Sequence, residues 1–89
     1  MSPNKRRMIL DDHRRLGAEL KAMRDRLVEI TVRLGEVYEL TDRIVINADR
    51  SWRAIDELRS ALDNYIFINY PTMPGRELMK IYYPGNDQR

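Results

Sequence analysis

Apolar residues recur along residues 9–44 at steps that alternate between four and three. Once a histidine and a threonine are included, the pattern stays in register for five heptads. This spacing places the side chains on one face of an α-helix that packs against another helix. It predicts a long helix over residues 7–46, after a flexible start at residues 1–6. The two series of positions are Ile9, Leu16, Met23, Ile30, Val37 and Ile44, and His13, Leu20, Leu27, Leu34 and Thr41.

A second apolar series predicts a shorter helix over residues 50–66. Cap-type residues such as Asn47 and Ser51 favour a turn at residues 46–50, which would fold the second helix back as a helical hairpin. Because this stretch contains neither Gly nor Pro, one continuous helix over residues 7–66 is the alternative. The positions of the series are Trp52, Ile55, Leu58, Leu62, Tyr65 and Ile66.

The character of the sequence changes in the tail, at residues 67–89. Helix cannot continue past Tyr70, because a residue that precedes proline disfavours the helical conformation. The stretch from Leu78 to Gly85 is apolar and β-prone. It predicts either a small β-hairpin or an extended segment lying along the helices. Five of the aromatic residues fall in or next to this tail: Tyr65, Phe67, Tyr70, Tyr82 and Tyr83.

The chain has 89 residues, which corresponds to a single domain spanning residues 1–89. A domain of this size buries only about 60% of its unfolded surface, so its own core gives marginal stability. No cysteine is present to form a disulfide, and a single histidine cannot supply a zinc site. With disulfides and zinc excluded, a partner chain is the remaining source of additional stability. The sequence therefore predicts an all-α fold and a homodimer in which helices of two chains form a bundle.

Reactive groups are scarce. There is no cysteine nucleophile, no Gly-rich phosphate loop and only one histidine, so no catalytic residues, metal or cofactor are expected. Asp11, Asp12 and His13 point about 100° apart around a helix and cannot share an ion from one face. His13 is interpreted as a packed histidine in a helix interface. Gly17 and Gly35 are interpreted as sites where another helix approaches closely.

The leading functional hypothesis is a non-enzymatic protein–protein interaction or assembly module. Its interface would combine the heptad positions of the long helix, which we call the seam, with the aromatic tail. Tyrosine is enriched in interaction hot spots. The protein partner is unidentified at this point. The predicted interface residues are Ile9, Leu16, Leu20, Met23, Leu27, Tyr70, Tyr82 and Tyr83.

A nucleic-acid-binding accessory or regulator is the alternative. Residues 1–26 hold eight Lys/Arg and four Asp/Glu, a net charge of +4, whereas the whole chain carries +2. Such a cluster can neutralise phosphates. The predicted contacts are Arg6, Arg7, Arg14 and Arg15. No apolar run is long enough to span a membrane and no apolar signal segment follows the charged start, so a cytoplasmic location is expected.

Overall fold

The computed structural model describes residues 8–85, which form three α-helices. Helix α1 spans Leu10–Val37, α2 spans Arg43–Asn69 and α3 spans Gly75–Tyr82. No strand occurs among residues 8–85. The prediction of an all-α fold is confirmed, while the predicted helix bounds and the nature of the tail need correction.

The chain leaves α1 earlier than the heptad pattern predicted. A turn at residues 38–42 follows Val37, and in it the amide of Asp42 donates to the carbonyl of Glu39 at 2.9 Å. The Asp42 side chain then accepts from the amide of Ile44 at 3.0 Å and caps α2. The predicted turn at residues 46–50 is therefore wrong, as is the continuous helix.

Helix α2 packs against α1 and contains the stretch that had been assigned to the turn. It ends at Asn69, one residue before Tyr70, so the predicted stop before Pro71 is confirmed. The predicted end at residue 66 falls one turn short. The side chains of Asn47 and Ser51 cap no helix, because both residues lie inside α2.

The tail is helical where the sequence predicted irregular or weakly β structure. Pro74 precedes α3, and the acidic Glu77 lies in its first turn, where it complements the helix dipole. Leu78, Ile81 and Tyr82 follow at helical spacing and are all buried. The prediction of β structure was wrong because tertiary burial outweighed the β propensity of this stretch.

The hydrophobic core lies where α3 covers one end of the α1–α2 pair. Its buried members are Leu20 from α1, Ile66 from α2, and Leu78, Ile81 and Tyr82 from α3. Partly buried side chains surround them. These are Leu10, Leu16, Ile55, Leu62, Tyr70, Met73 and Tyr83.

Helix α3 reaches this position because α1 carries a glycine beneath it. A Cβ atom at Gly17 would overlap the carbonyl oxygen of Ile81 and lie 2.9 Å from its carbonyl carbon. The absence of a side chain at residue 17 therefore lets the two backbones come together. The interpretation of Gly17 as a site of close helix approach is confirmed within the chain.

Candidate interaction surface

A histidine and a tyrosine join α1 to α3 inside the core. The Nδ1 atom of His13 lies 2.5 Å from the hydroxyl oxygen of Tyr82. His13 is 1% exposed and Tyr82 is fully buried. The rings of Tyr65 and Tyr70 lie around the imidazole, with centroids 5.8 and 6.4 Å away. The predicted role of His13 in helix packing is thus seen inside the chain.

Burial shifts the pKa of each titratable group in this cluster towards its neutral form. Burial lowers the pKa of His13, while the Asp12 carboxylate raises it to a smaller extent. Burial, and secondarily the charge of Asp63, raises the pKa of Tyr82 to about 12. Burial also raises the pKa of Asp63. Within residues 8–85, neither His13 Nε2 nor Asp63 Oδ1 has a hydrogen-bond partner. Desolvation therefore opposes every charged form here.

A buried arginine fixes the end of α3 to α2. The Nε and Nη2 atoms of Arg59 donate to the backbone oxygen of Tyr82 at 3.1 and 2.6 Å. Its Nη1 atom pairs with Asp56 at 2.9 Å, and its guanidinium lies 4.7 Å from the ring centroid of Tyr83. Arg59 thus satisfies a helix-terminal carbonyl and keeps its own charge paired. No pattern in the sequence predicts this role.

The predicted interface residues are divided between the chain's own core and its surface. Leu20 and Tyr82 are buried core members, and Leu16, Tyr70 and Tyr83 pack against that core. The hydroxyl of Tyr70 also donates to the carbonyl of Met8 at 3.2 Å. The other three residues differ in exposure: Ile9 and Met23 are exposed, and Leu27 is half-buried. Most of the predicted interface residues therefore pack against other residues of the same chain.

A different apolar surface lies at the opposite end of the molecule, around the turn between α1 and α2. Val37 and Leu40 are 74% and 73% exposed. No described helix covers this end, because α3 packs near Gly17. We call this set the tip surface. It comprises Val32, Val37, Tyr38, Leu40, Ile44 and Ile46, all of them exposed.

A groove between α1 and α2 opens within the tip surface. Its volume is about 580 Å³, within the range of small binding sites. Its apolar lining comes from both helices and from the turn, while charged side chains stand at its edge. We call it the tip groove. It is lined by Thr31, Val32, Gly35, Glu36, Leu40, Val45, Ile46, Asp49 and Arg50.

An uncharged stripe runs along the exposed side of α2. Its residues are spaced alternately three and four apart, so they lie on one helix face, and all are exposed. Ile44 stands at one end of the stripe, and the other large apolar side chains, Leu58, Tyr65 and Ile68, lie in its second half. We call this the α2 stripe. It consists of Ile44, Asn47, Ser51, Ala54, Leu58, Ala61, Tyr65 and Ile68.

The basic residues proposed for nucleic acid contact are partly neutralised by neighbours. Arg14 pairs with Asp11 at 2.9 Å and Arg15 pairs with Asp12 at 2.6 Å. Both are exposed pairs one helical turn apart. The other two predicted contacts, Arg6 and Arg7, lie outside the described residues.

Residues 8–85 contain no group of three or more His, Cys, Asp or Glu side chains placed to hold a metal ion. None of their helices has the length and apolar character needed to cross a membrane.

Comparison with protein-family models, curated proteins and solved structures gave no match.

Proposed function

We propose that this chain is a non-enzymatic interaction and assembly module that works through its exposed apolar surface. One observation carries the proposal. Among the described residues, thirteen large apolar side chains are exposed, whereas six apolar residues are buried. Monomeric proteins rarely expose contiguous apolar patches of large area, and larger patches mark interaction sites.

The proposed interface consists of the tip surface and the α2 stripe. These replace the seam and tail residues, since Leu20 and Tyr82 already serve the chain's own core. The α2 stripe has the spacing by which helices pair in coiled coils. A partner helix lying along it would cover Leu58, Tyr65 and Ile68 together.

We propose that the first partner is another copy of the chain. The buried core is small and contains no disulfide, so burial of a further apolar surface would stabilise the fold substantially. Each large aliphatic side chain removed from water contributes roughly 1.5–3 kcal/mol. A dimer that covers the tip surface or the α2 stripe would therefore be more stable than the lone chain.

A structural role for the polar cluster supports the non-enzymatic part of the proposal. His13 and Tyr82 are closed off from solvent by the helices that they join. A catalytic base must come within hydrogen-bond reach of a substrate proton. Neither side chain can do so without separation of α3 from α1.

The proposal is tested by site-specific photo-crosslinking in cells. A photoreactive residue is placed at Leu40 on the tip surface or at Ile68 on the α2 stripe. The matched control carries it at Glu29, an exposed polar position of α1. Protein adducts from Leu40 or Ile68, with none from Glu29, are expected. If all three positions give no adduct, the chain is not an interaction module.

Nucleic acid binding stays a prediction of the sequence, and so does the cytoplasmic location. The ion pairs of Arg14 and Arg15 weaken the potential available to phosphates. Binding through the basic cluster would fall steeply as salt rises, because counterions are released. A filter-binding assay at two salt concentrations distinguishes this behaviour from protein-mediated assembly.

A further inference from the structure

The two glycines of α1 lie on the same face of the helix. They are 18 residues apart, which is about five turns at 3.6 residues per turn. Gly17 is covered by the backbone of α3. At Gly35, a Cβ atom would meet only Leu40, at an ordinary 3.5 Å. The same helix face is therefore covered by a helix backbone at one end and, within 4 Å, only by the exposed side chain of Leu40 at the other.

The correspondence extends beyond the glycines. At the covered end, α3 places Glu77, Lys80 and Ile81 beside Arg14 and Ala18 on α1. Five turns further along the same face lie Val32 and Glu36, and both line the tip groove. The α1 wall of the tip groove thus continues the helix face that α3 covers at the other end.

We infer that the tip groove is occupied by the tip of a second copy of this chain, with the two α1 helices crossing near Gly35. This inference rests on the proposed function and gives it a location. In a two-fold dimer the same patch lies on both sides of the interface, so it must be complementary to itself. An exposed apolar ridge at Val37 and Leu40 stands directly beside an apolar groove, which meets that requirement.

Charge around the tip groove supports a second copy as the occupant. Charged side chains of both signs line the groove, namely Glu36, Asp49 and Arg50. Asp49 pairs with Arg53, whereas Glu36 and Arg50 form no ion pair with another residue in the range 8–85. In a two-fold dimer, Glu36 of one copy can therefore face Arg50 of the other. A uniformly charged partner would match only one of the two signs.

The first experiment measures mass by light scattering over a concentration series. Wild-type protein is expected at twice 10.6 kDa. Leu40→Glu places a charge on the ridge, and Gly35→Leu fills the groove while replacing glycine by a better helix former. Both variants are expected to give the monomer mass, with at least a tenfold rise in dimer Kd. Their helical circular dichroism should match that of wild type.

The matched control is Met79→Glu, which charges an exposed apolar residue of α3 that lies outside both the tip surface and the α2 stripe. Met79 is 37% exposed, against 73% for Leu40. This variant should remain a dimer. If Leu40→Glu and Gly35→Leu also remain dimers, the inferred location is overturned while the proposed function stands. A wild-type chain that stays monomeric overturns the inference, and crosslinking at Leu40 then decides the function separately.

A second experiment tests the charged rim. Arg50→Glu leaves the tip groove lined by acidic side chains alone, because the native Glu36 and Asp49 stand beside it. Repulsion between two such surfaces should weaken the dimer at low salt, and the difference from wild type should shrink as salt screens it. An unchanged dimer Kd at low salt would contradict contact between the two rims.

Discussion

Gly17 of α1 and Ile81 of α3 meet backbone to backbone, at a place where no side chain fits. The Cβ atom of an alanine at residue 17 would overlap the Ile81 carbonyl oxygen. We therefore expect Gly17→Ala to lower the free energy of unfolding by about 2–3 kcal/mol, because overpacking forces α3 to move. Urea denaturation followed by circular dichroism measures this loss.

Gly35→Ala is the matched control for that substitution. It makes the same change in the same helix, but its new Cβ would lie 3.5 Å from Leu40 Cδ2, an ordinary contact. Alanine favours helix over glycine by about 1 kcal/mol, so at a protein concentration well below the dimer Kd the control should be neutral or stabilising. Equal losses for the two variants would mean that α3 does not pack on Gly17.

The hydrogen bond between His13 and Tyr82 gives a second prediction. Tyr82→Phe retains the ring but leaves the Nδ1 atom of His13 without its partner in a buried site. Removing one partner of a buried hydrogen bond costs about 1–3 kcal/mol. We expect a loss of that size in denaturant unfolding.

Tyr65→Phe is its control, because Tyr65 also lies against the imidazole but is exposed. Surface substitutions of this kind usually stay within about 0.5 kcal/mol of wild type. A Tyr82→Phe variant as stable as Tyr65→Phe would show that the hydroxyl contributes nothing to the fold.

The sequence allowed the helical class to be predicted, because three-and-four spacing persists through residues 9–44. The same regularity concealed the turn. Apolar Val37 and Ile44 keep the heptad register across it, although both are exposed in the structure. The deciding local signal was Asp42, a cap residue that accepts from the amide of Ile44. No Gly or Pro marks the turn, so hydrophobic periodicity alone could not place it.

The tail shows why the candidate surface could be predicted only in part. The spacing of Leu78, Ile81 and Tyr82 is compatible with a helix, but its β-prone residues also suited a strand. Burial against Gly17 and Ile66 favoured the helix over the strand, and these contacts are long-range. Once α3 covers one end of α1, the open surface must lie elsewhere. The tip groove therefore follows from tertiary packing, which no local pattern encodes.

Arg59 gives a prediction that separates geometry from charge. Two of its nitrogens donate to the Tyr82 carbonyl and a third pairs with Asp56. Arg59→Lys keeps the positive charge but cannot reproduce this planar arrangement. We expect a loss of about 1–3 kcal/mol in denaturant unfolding, because a charge-assisted hydrogen bond to a buried carbonyl is removed. Arg53→Lys is the control, since Arg53 pairs with Asp49 in an exposed position. A loss no larger than that of the control would show that charge alone suffices at residue 59.

The burial of His13 predicts that acid weakens the fold. In the unfolded chain this histidine titrates near its ordinary pKa of 6.5, whereas burial lowers its pKa in the folded state. As the pH falls through 6.5, the unfolded chain binds more protons than the folded chain, so the free energy of unfolding declines. Above that pH, the contribution of the neutral, buried His13 to the free energy of unfolding is fully present.

The groups around His13 also bear on this trend. Tyr82, which lies against Nδ1 of His13, has a pKa of about 12 and stays neutral. The rings of Tyr65 and Tyr70 also face the imidazole. Asp12 only reduces the shift of the histidine pKa. Burial raises the pKa of Asp63, so its contribution is lost as the pH rises from its ordinary value of 3.8. The contribution of Asp63 to the free energy of unfolding therefore changes with pH in the opposite direction to that of His13, starting near pH 3.8.

The measurement is denaturant unfolding at about pH 7.5 and about pH 5.5, a range across which histidine is the side chain that ordinarily titrates. Wild type should be less stable at the lower pH. His13→Gln keeps a polar group beside the Tyr82 hydroxyl but cannot be protonated in this range. Its stability should change less between the two pH values. If wild type and His13→Gln lose the same free energy of unfolding between the two pH values, the acid sensitivity arises from a group other than His13.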